Sequence, residues 1–312
     1  IPGNHDWYSG LKGLKEQEKM VEDALGKNTF QPENGCPIEK INISDDIVML
    51  IVDSHWYVTN WNNHPTINDD CEIKTRADFL DEFRGEIKKA RGKVTLVAIH
   101  HPMYSNGPHN GRYGVKENIK PIPVLGTLKN ILRTSTGIVN ADFSNPFYNE
   151  LRKNLIATAQ QNENVIFLSG HEHNLQYLES DNVSQIVSGS GSKTTPLRIR
   201  NSDNYGHAIP GYAVLNIGNN KAVDVQFFNS TSEEVEFYKQ IKQPEQISET
   251  EYAKITSDSI SASIYSKEDT DKSGFYKFLW GDRYRDEYST NVKAKVANLD
   301  TLLGGVKPFR KG

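Results

Sequence analysis

Two short, nearly unbroken apolar runs constrain this chain more than any other feature: Val94-Thr95-Leu96-Val97-Ala98-Ile99 and Val165-Ile166-Phe167-Leu168. Runs of this length, bounded by Gly or polar residues, read as strands buried on both faces of a sheet. Amphipathic stretches stand between and before them. Residues 11–25 carry Leu11, Leu14, Met20, Val21 and Leu25 among charges and end at Gly26, and residues 76–91 place Phe79, Leu80, Phe83 and Ile87 on one face with Gly92 just past the end. A third helix is expected over 146–161. Two more strands, 38–43 and 46–52, flank a Ser44-Asp45 turn, and short strands follow the second apolar run at 175–178, 184–188, 211–217, 222–228 and 234–239. Strands alternating with helices and then a strand-rich half predict an α/β fold of two sheets packed face to face, with helices outside.

The chemistry stands at the ends of the apolar runs. Val94–Ile99 delivers His100-His101-Pro102, and Val165–Leu168 leads into Gly170-His171-Glu172-His173-Asn174; a third such segment, Gly3-Asn4-His5-Asp6, lies near the first residue. Strand C-terminal ends are where α/β folds build their sites. Asn and His offer neutral oxygen and nitrogen donors that suit Zn, Mn and Fe. The i, i+2 spacing of His171 and His173 lets two imidazoles turn toward two adjacent ions. Each residue also has a plainer role: Asn4 as a turn residue, Asp6 as a helix cap, His171 and His173 as a hydrogen-bonded loop pair, and His109 as an exposed loop histidine. His101 is expected to pack beside the site. His55, His64 and His207 carry no motif, and Asp53-Ser54-His55-Trp56-Tyr57 reads as a loop bordering a substrate mouth. Residues 103–144, rich in Gly, Pro and Asn, read as one long loop, a length that usually carries function.

Composition excludes several classes. Thirty-six Lys and Arg against forty Asp and Glu leave a formal charge of −4, which argues against nucleic-acid or membrane-surface binding through bulk charge. No apolar run approaches the roughly 18–20 residues of a membrane-spanning helix. Cys36 and Cys71 either pair or stay free; two thiols leave both readings open. Beyond Gln243-Pro244 the chain turns polar, Ser- and Asp-rich over 256–274, with a late aromatic cluster around Phe275–Trp280. The expected division is therefore a domain over 1–240 and an extension or linker over 241–312.

Gly3-Asn4-His5-Asp6, Val97-Ala98-Ile99-His100-His101-Pro102 and Gly170-His171-Glu172-His173, in that order, resemble the last three motifs of the calcineurin-like metallophosphoesterases. Within that superfamily the chain is most similar to the tartrate-resistant (purple) acid phosphatase branch. The run Gly170–Leu178 and Val187-Ser188-Gly189-Ser190-Gly191 resemble that branch closely, and His109, nine residues after His100, matches a second active-site histidine. The resemblance covers about residues 1–240. It implies a four-layer α/β/β/α sandwich, here lacking its first strands, because the family's first two motifs lie upstream of Gly3. Those motifs supply the bridging Asp and most ligands of the first metal. His101 departs from the branch, which more often has an aromatic residue there.

The resemblance further implies that Asn4, His100 and His171 hold the second of two metal ions and that His173 reaches the first. The pair would be Fe with Zn or Mn, or two Zn or Mn ions. His5 would face substrate phosphate and assist the leaving group, with Asp6 orienting it, and His109 would be a second phosphate-facing acid. The expected activity is phosphomonoester hydrolysis of a phosphorylated small molecule by metal-activated water; phosphodiesterase and pyrophosphohydrolase activities occur on the same scaffold. A segment lacking the first two motifs is expected to be inactive alone. A second expectation, of another class, rests on Trp280–Tyr288 and Asp300–Val306. These resemble a segment of bacterial surface proteins in which a metallophosphatase domain precedes an outer-membrane region. The domain would then be a passenger of an attachment protein, extracytoplasmic, in the periplasm or at the cell surface.

Overall fold

A computed structural model describes residues 1–113, 127–128, 130, 133, 136–137, 139–180, 182–199, 204–218 and 220–243. Helix α1 (Gly10–Leu25) precedes a hairpin of β1 (Ile38–Asn42) and β2 (Ile47–Val52). A short helix α2 (Ser54–Val58) and helix α3 (Arg76–Lys89) then lead to β3 (Val94–Ile99). Helix α4 (Pro146–Ala159) leads to β4 (Val165–Ser169), which is followed by β5 (Leu175–Ser180), β6 (Val183–Ser188) and β7 (Tyr205–His207). The seven strands form one sheet in the order β1-β2-β3-β4-β6-β5-β7. Its centre, β2, β3, β4 and β6, is parallel; β1 and β5 run antiparallel to it, and β7, antiparallel to β5, again runs with the centre. A second, antiparallel sheet is β10-β9-β8, from β8 (Gly211–Ile217), β9 (Val223–Asn229) and β10 (Val235–Lys242).

The parallel strands step across the sheet in one direction, and right-handed crossovers then put α3 and α4 on the same face. Period-two alternation divides the strands between two cores. Val48, Leu50, Val97, Ile99, Val165 and Phe167 face Phe79, Phe83, Leu151 and Leu155 of the helices. Leu96, Ile166, Tyr177 and Ile186 face Val223, Val225 and Phe227 of the second sheet. This double burial explains why β3 reads as an apolar run rather than an alternating one. Phe79, Phe83 and Phe167 are fully or almost fully buried, so truncating any of them to Ala should cost roughly 3–5 kcal/mol. The described residues thus form three layers, helix, sheet and sheet. No described helix covers the outer face of the second sheet, so the expected four-layer sandwich is seen in three.

Local signals start the helices. Thr75 caps α3 in a reciprocal capping box with Asp78. Asn145 caps α4, accepting from Phe147 N and Tyr148 N, with Pro146 at the first helical position. The stretch expected as a substrate-mouth loop is instead helix α2. Asp53 caps it through His55 N and Trp56 N, and Trp56, Tyr57 and Val58 are buried in the core. Local hydrogen bonding by Asp53 supplies the helix start, and three apolar side chains supply the reason to bury it. Cys36 and Cys71 are joined in a disulfide, which settles the choice the sequence left open. Of the extension over 241–312, residues 241 and 242 finish β10. The Ser/Asp-rich stretch, the aromatic cluster and the segments Trp280–Tyr288 and Asp300–Val306 lie outside the described residues.

Candidate functional site

Asn4, His100 and His171 meet at the C-terminal ends of β3 and β4. Asn4 Oδ1 lies 2.8 Å from His100 Nε2, and His100 Nε2 lies 3.2 Å from His171 Nδ1. His171 Nε2 donates to the Ala141 carbonyl at 2.9 Å. A carbonyl can only accept, so the proton sits on Nε2 and the Nδ1 lone pair is turned toward His100. His171 itself has φ +62°, a backbone state uncommon outside Gly, Asn and Asp and found where a site holds a residue in a fixed direction. Gly3 makes the approach of His100 possible: a Cβ there would stand 2.8 Å from two atoms of the His100 ring. Burial drives the His100 imidazole down to about 4 and holds His171 well below its ordinary value. Both are neutral near pH 7, the form in which imidazole binds a metal.

His109 packs against this triad, its ring centroid 4.1 Å from that of His171. It sits in a single turn of 3₁₀ helix, Pro108–Asn110. Its Nδ1 lies 2.7 Å from Asp142 Oδ1, and Arg133 holds both oxygens of that carboxylate, Nε to Oδ2 at 2.6 Å and Nη2 to Oδ1 at 2.7 Å. Burial alone would raise the Asp142 carboxyl, but hydrogen bonds from His109 and Arg133 hold it below the usual range. Glu172, buried between His171 and His173, accepts from Ser105 Oγ and from His109 N. It therefore ties the His109 turn to the His171 loop. Its own carboxyl is raised, chiefly by burial.

The remaining candidates stand further out. His5 is exposed, its ring 4.6 Å from that of Tyr8. Asp6 accepts the Gly3 amide at 2.6 Å and so closes the turn of its own segment. His173 is partly buried, with Nδ1 shielded from solvent and lacking a hydrogen-bond partner. His101 lies beneath the triad, fully buried, hydrogen-bonded to Ser54 Oγ at 2.7 Å and packed between His171, at a tilt, and Tyr148, edge to face. Strand parity separates the two neighbours: His100 continues the side of β3 that faces the second sheet, whereas His101 continues the helix-facing side. Asp53 anchors the segment bearing Asn4 by accepting from Trp7 Nε1 at 2.8 Å. Burial pushes its carboxyl up to about 7, against the three N–H groups that favour the charged form.

These residues fit a cation. Three donors each about 2.1 Å from a tetrahedral Zn-type ion stand roughly 3.4 Å apart, and His100 Nε2 stands somewhat closer than that to both of its neighbours, at 2.8 Å and 3.2 Å. His171 also has the carbonyl partner that metal-binding imidazoles need on their other nitrogen. Among the described residues no three of His, Cys, Asp and Glu gather in this way; the convergent set has two histidines and an asparagine. A cleft of about 350 Å³, lined by Val94, Val165, Ser184 and Ile241 among others, opens at the N-terminal ends of the parallel strands. It lies at the end opposite the histidines and takes no part in this chemistry.

Sequence reasoning missed Ala141, Asp142 and Arg133. All three fall in the stretch read as one loop, where Arg133 has helical backbone. Asn145-Pro146 marks the helix start just after them, but nothing in the pattern ties Asp142 to a histidine 33 residues earlier.

No protein-family model matches the chain, and no curated protein matches it. Two solved structures similar to it are GAP50, described as the anchor in the inner membrane complex of Plasmodium, and a Staphylococcus aureus protein assigned as a 5'-nucleotidase, solved with alpha-ketoglutarate. The first is 16% identical with a TM-score of 0.40, over 70% of this chain and 58% of that one. The second is 14% identical with a TM-score of 0.29, over 70% of this chain and 32% of that one. This chain spans less than two thirds of the length of either. Likenesses this low leave the functional reading to the residues themselves.

Proposed function

We propose that this protein is a metal-dependent phosphoesterase of the calcineurin-like superfamily, a phosphomonoester hydrolase of the acid phosphatase type. The observation that carries the reading is the convergence of Asn4 Oδ1, His100 Nε2 and His171 Nδ1 from three distant segments, with His109 packed against them. Asn4, His100 and His171 would hold one metal ion and His173 would reach toward a second; Fe with Zn or Mn, or a Zn or Mn pair, suits such donors. Bound there, the metal supplies Lewis acidity toward phosphoryl oxygens and acidifies water.

The chain's own residues do the rest. Gly3 lets His100 reach the triad, and the Ala141 carbonyl keeps the His171 Nδ1 lone pair pointing into it. His101 and Tyr148, both fully buried, pack beneath it. His109 stands where it could protonate a departing alkoxide, and exposed His5 could meet substrate phosphate from solvent; general acid catalysis of this kind contributes roughly 10²–10⁴-fold. The substrate would be a phosphorylated small molecule. The Cys36–Cys71 disulfide supports an extracytoplasmic location, where such bonds persist.

The test is hydrolysis of an aryl phosphate by the full-length protein, before and after chelation and after return of Zn²⁺, Mn²⁺ or Fe. Activity lost on chelation and regained with metal is expected. Turnover that survives thorough chelation would sink the reading.

A further inference from the structure

We propose that Asp142 is a positioning residue: clamped by Arg133, it holds the His109 ring with its proton on Nδ1 and leaves Nε2 as the working nitrogen. The role assigned to His109 rests on the phosphoesterase reading; the hydrogen-bond assignment does not.

The geometry decides where the proton lies. His109 Nδ1 stands 2.7 Å from Asp142 Oδ1 and 3.2 Å from Arg133 Nη2. A carboxylate oxygen and an imidazole lone pair repel at the shorter distance, so the bond forms only if Nδ1 carries hydrogen and donates. The carboxylate has little freedom to turn away. Arg133 grips it through two parallel N–H···O bonds, a bidentate arrangement that fixes orientation as well as charge. Asp142 is 1% exposed, so water does not compete for its oxygens. The ring is also held from its main chain, since His109 N donates to Glu172 and the His109 carbonyl accepts from Phe143 N at 3.0 Å.

The adjacent residue points the same way. Ala141 orients His171 through its carbonyl, and Asp142 orients His109 through its carboxylate. One dipeptide thus sets the tautomers of two neighbouring imidazoles, in opposite senses: Nε2–H on His171 and Nδ1–H on His109. That is a built arrangement, because the other tautomer of His171 would set a lone pair against the Ala141 carbonyl, and the other tautomer of His109 would set one against the Asp142 carboxylate. His109 acts as an acid from Nε2 once that nitrogen too is protonated.

Imidazole ¹⁵N NMR of the full-length protein is the direct measurement, with the His109 signals identified by their loss in His109→Gln. Protonated Nδ1 and unprotonated Nε2 are expected for neutral His109. A proton on Nε2 and none on Nδ1 of neutral His109 overturns the proposal. Asp142→Asn should shift His109 toward the Nε2–H form, keep the metal content per chain, and lower kcat on an aryl phosphate by about 10²-fold or more while KM changes less than about threefold. An unchanged tautomer in that variant also overturns it. In a His109→Ala background, Asp142→Asn should change kcat by less than about twofold; a full, additive loss would mean that Asp142 acts by another route. If the wild type hydrolyses no phosphoester, the functional reading fails alone, and the tautomer measurements still decide whether Asp142 positions His109.

Discussion

Gly3→Ala should damage the candidate metal centre while leaving the fold intact. The methyl group would stand 2.8 Å from His100 Cε1 and Nδ1 and 3.2 Å from Cγ. Ordinary contacts between such atoms begin near 3.5 Å, so the ring must retreat by roughly 0.7 Å. Metal sites tolerate about 0.2 Å in ligand distance, and Nε2 is the donor shared with Asn4 and His171. A shift of that size should weaken binding at least as much as losing an outer-shell partner, about 10- to 100-fold. The backbone offers no competing explanation, because Gly3 is not among the glycines with positive φ. The stability cost of overpacking should be about 1–3 kcal/mol. Gly85→Ala is the control: a Cβ there meets nothing within 4 Å, and its place inside α3 predicts a gain of up to about 1 kcal/mol. Zn²⁺ affinity would be measured by competition with a chromophoric chelator, alongside urea denaturation. Wild-type affinity in a folded Gly3→Ala protein would refute the reasoning, since His100 would then be displaceable without consequence.

Other perturbations give separate expectations. His171→Ala should lower metal content, whereas His5→Ala should leave metal bound and reduce the rate by roughly 10²–10⁴-fold; loss of metal from the His5 variant would reverse the assigned roles. Replacing Cys36 and Cys71 together by Ser opens a loop of 35 residues and should cost about 4 kcal/mol by chain entropy; a denaturation midpoint unmoved in urea would contradict it. In metal-free protein, His55 and His100 are held down to about 4 by burial, so their stabilisation is complete above about 6.5 and is lost as pH falls toward 4. Asp53, pushed up to about 7 by burial, works oppositely and loses stabilisation as pH rises from 3.8 to 7. Two histidines against one carboxyl leave about one proton, near 1.4 kcal/mol per pH unit between 4 and 6.5; His101 and His171 steepen it and Glu172, raised by burial, flattens it. Stability that fails to drop from pH 6.5 to 5 would contradict this.

Local pattern alone determined the elements whose signal is periodic. Val94–Ile99 and Val165–Leu168 read as buried strands because they are short, rich in β-branched residues and bounded by polar residues or Gly, where a buried helix would run longer. Phe79, Phe83 and Ile87 had to line one side of a helix. The histidine segments at the strand ends were legible for the same reason, since a strand's end fixes where the next residue emerges. Tertiary structure decided what periodicity does not encode. Asp53–Val58 became a buried helix because Asp53 could cap it and accept from Trp7, a residue 46 positions away. Cys36 and Cys71 paired because the fold brought them together. His100 and His101, adjacent and chemically identical, took different surroundings because the two faces of β3 meet different layers. Asp142 found His109, and Ala141 found His171, across separations of 33 and 30 residues. Those hydrogen bonds join segments that the sheet brings together, so no short window of the sequence contains them.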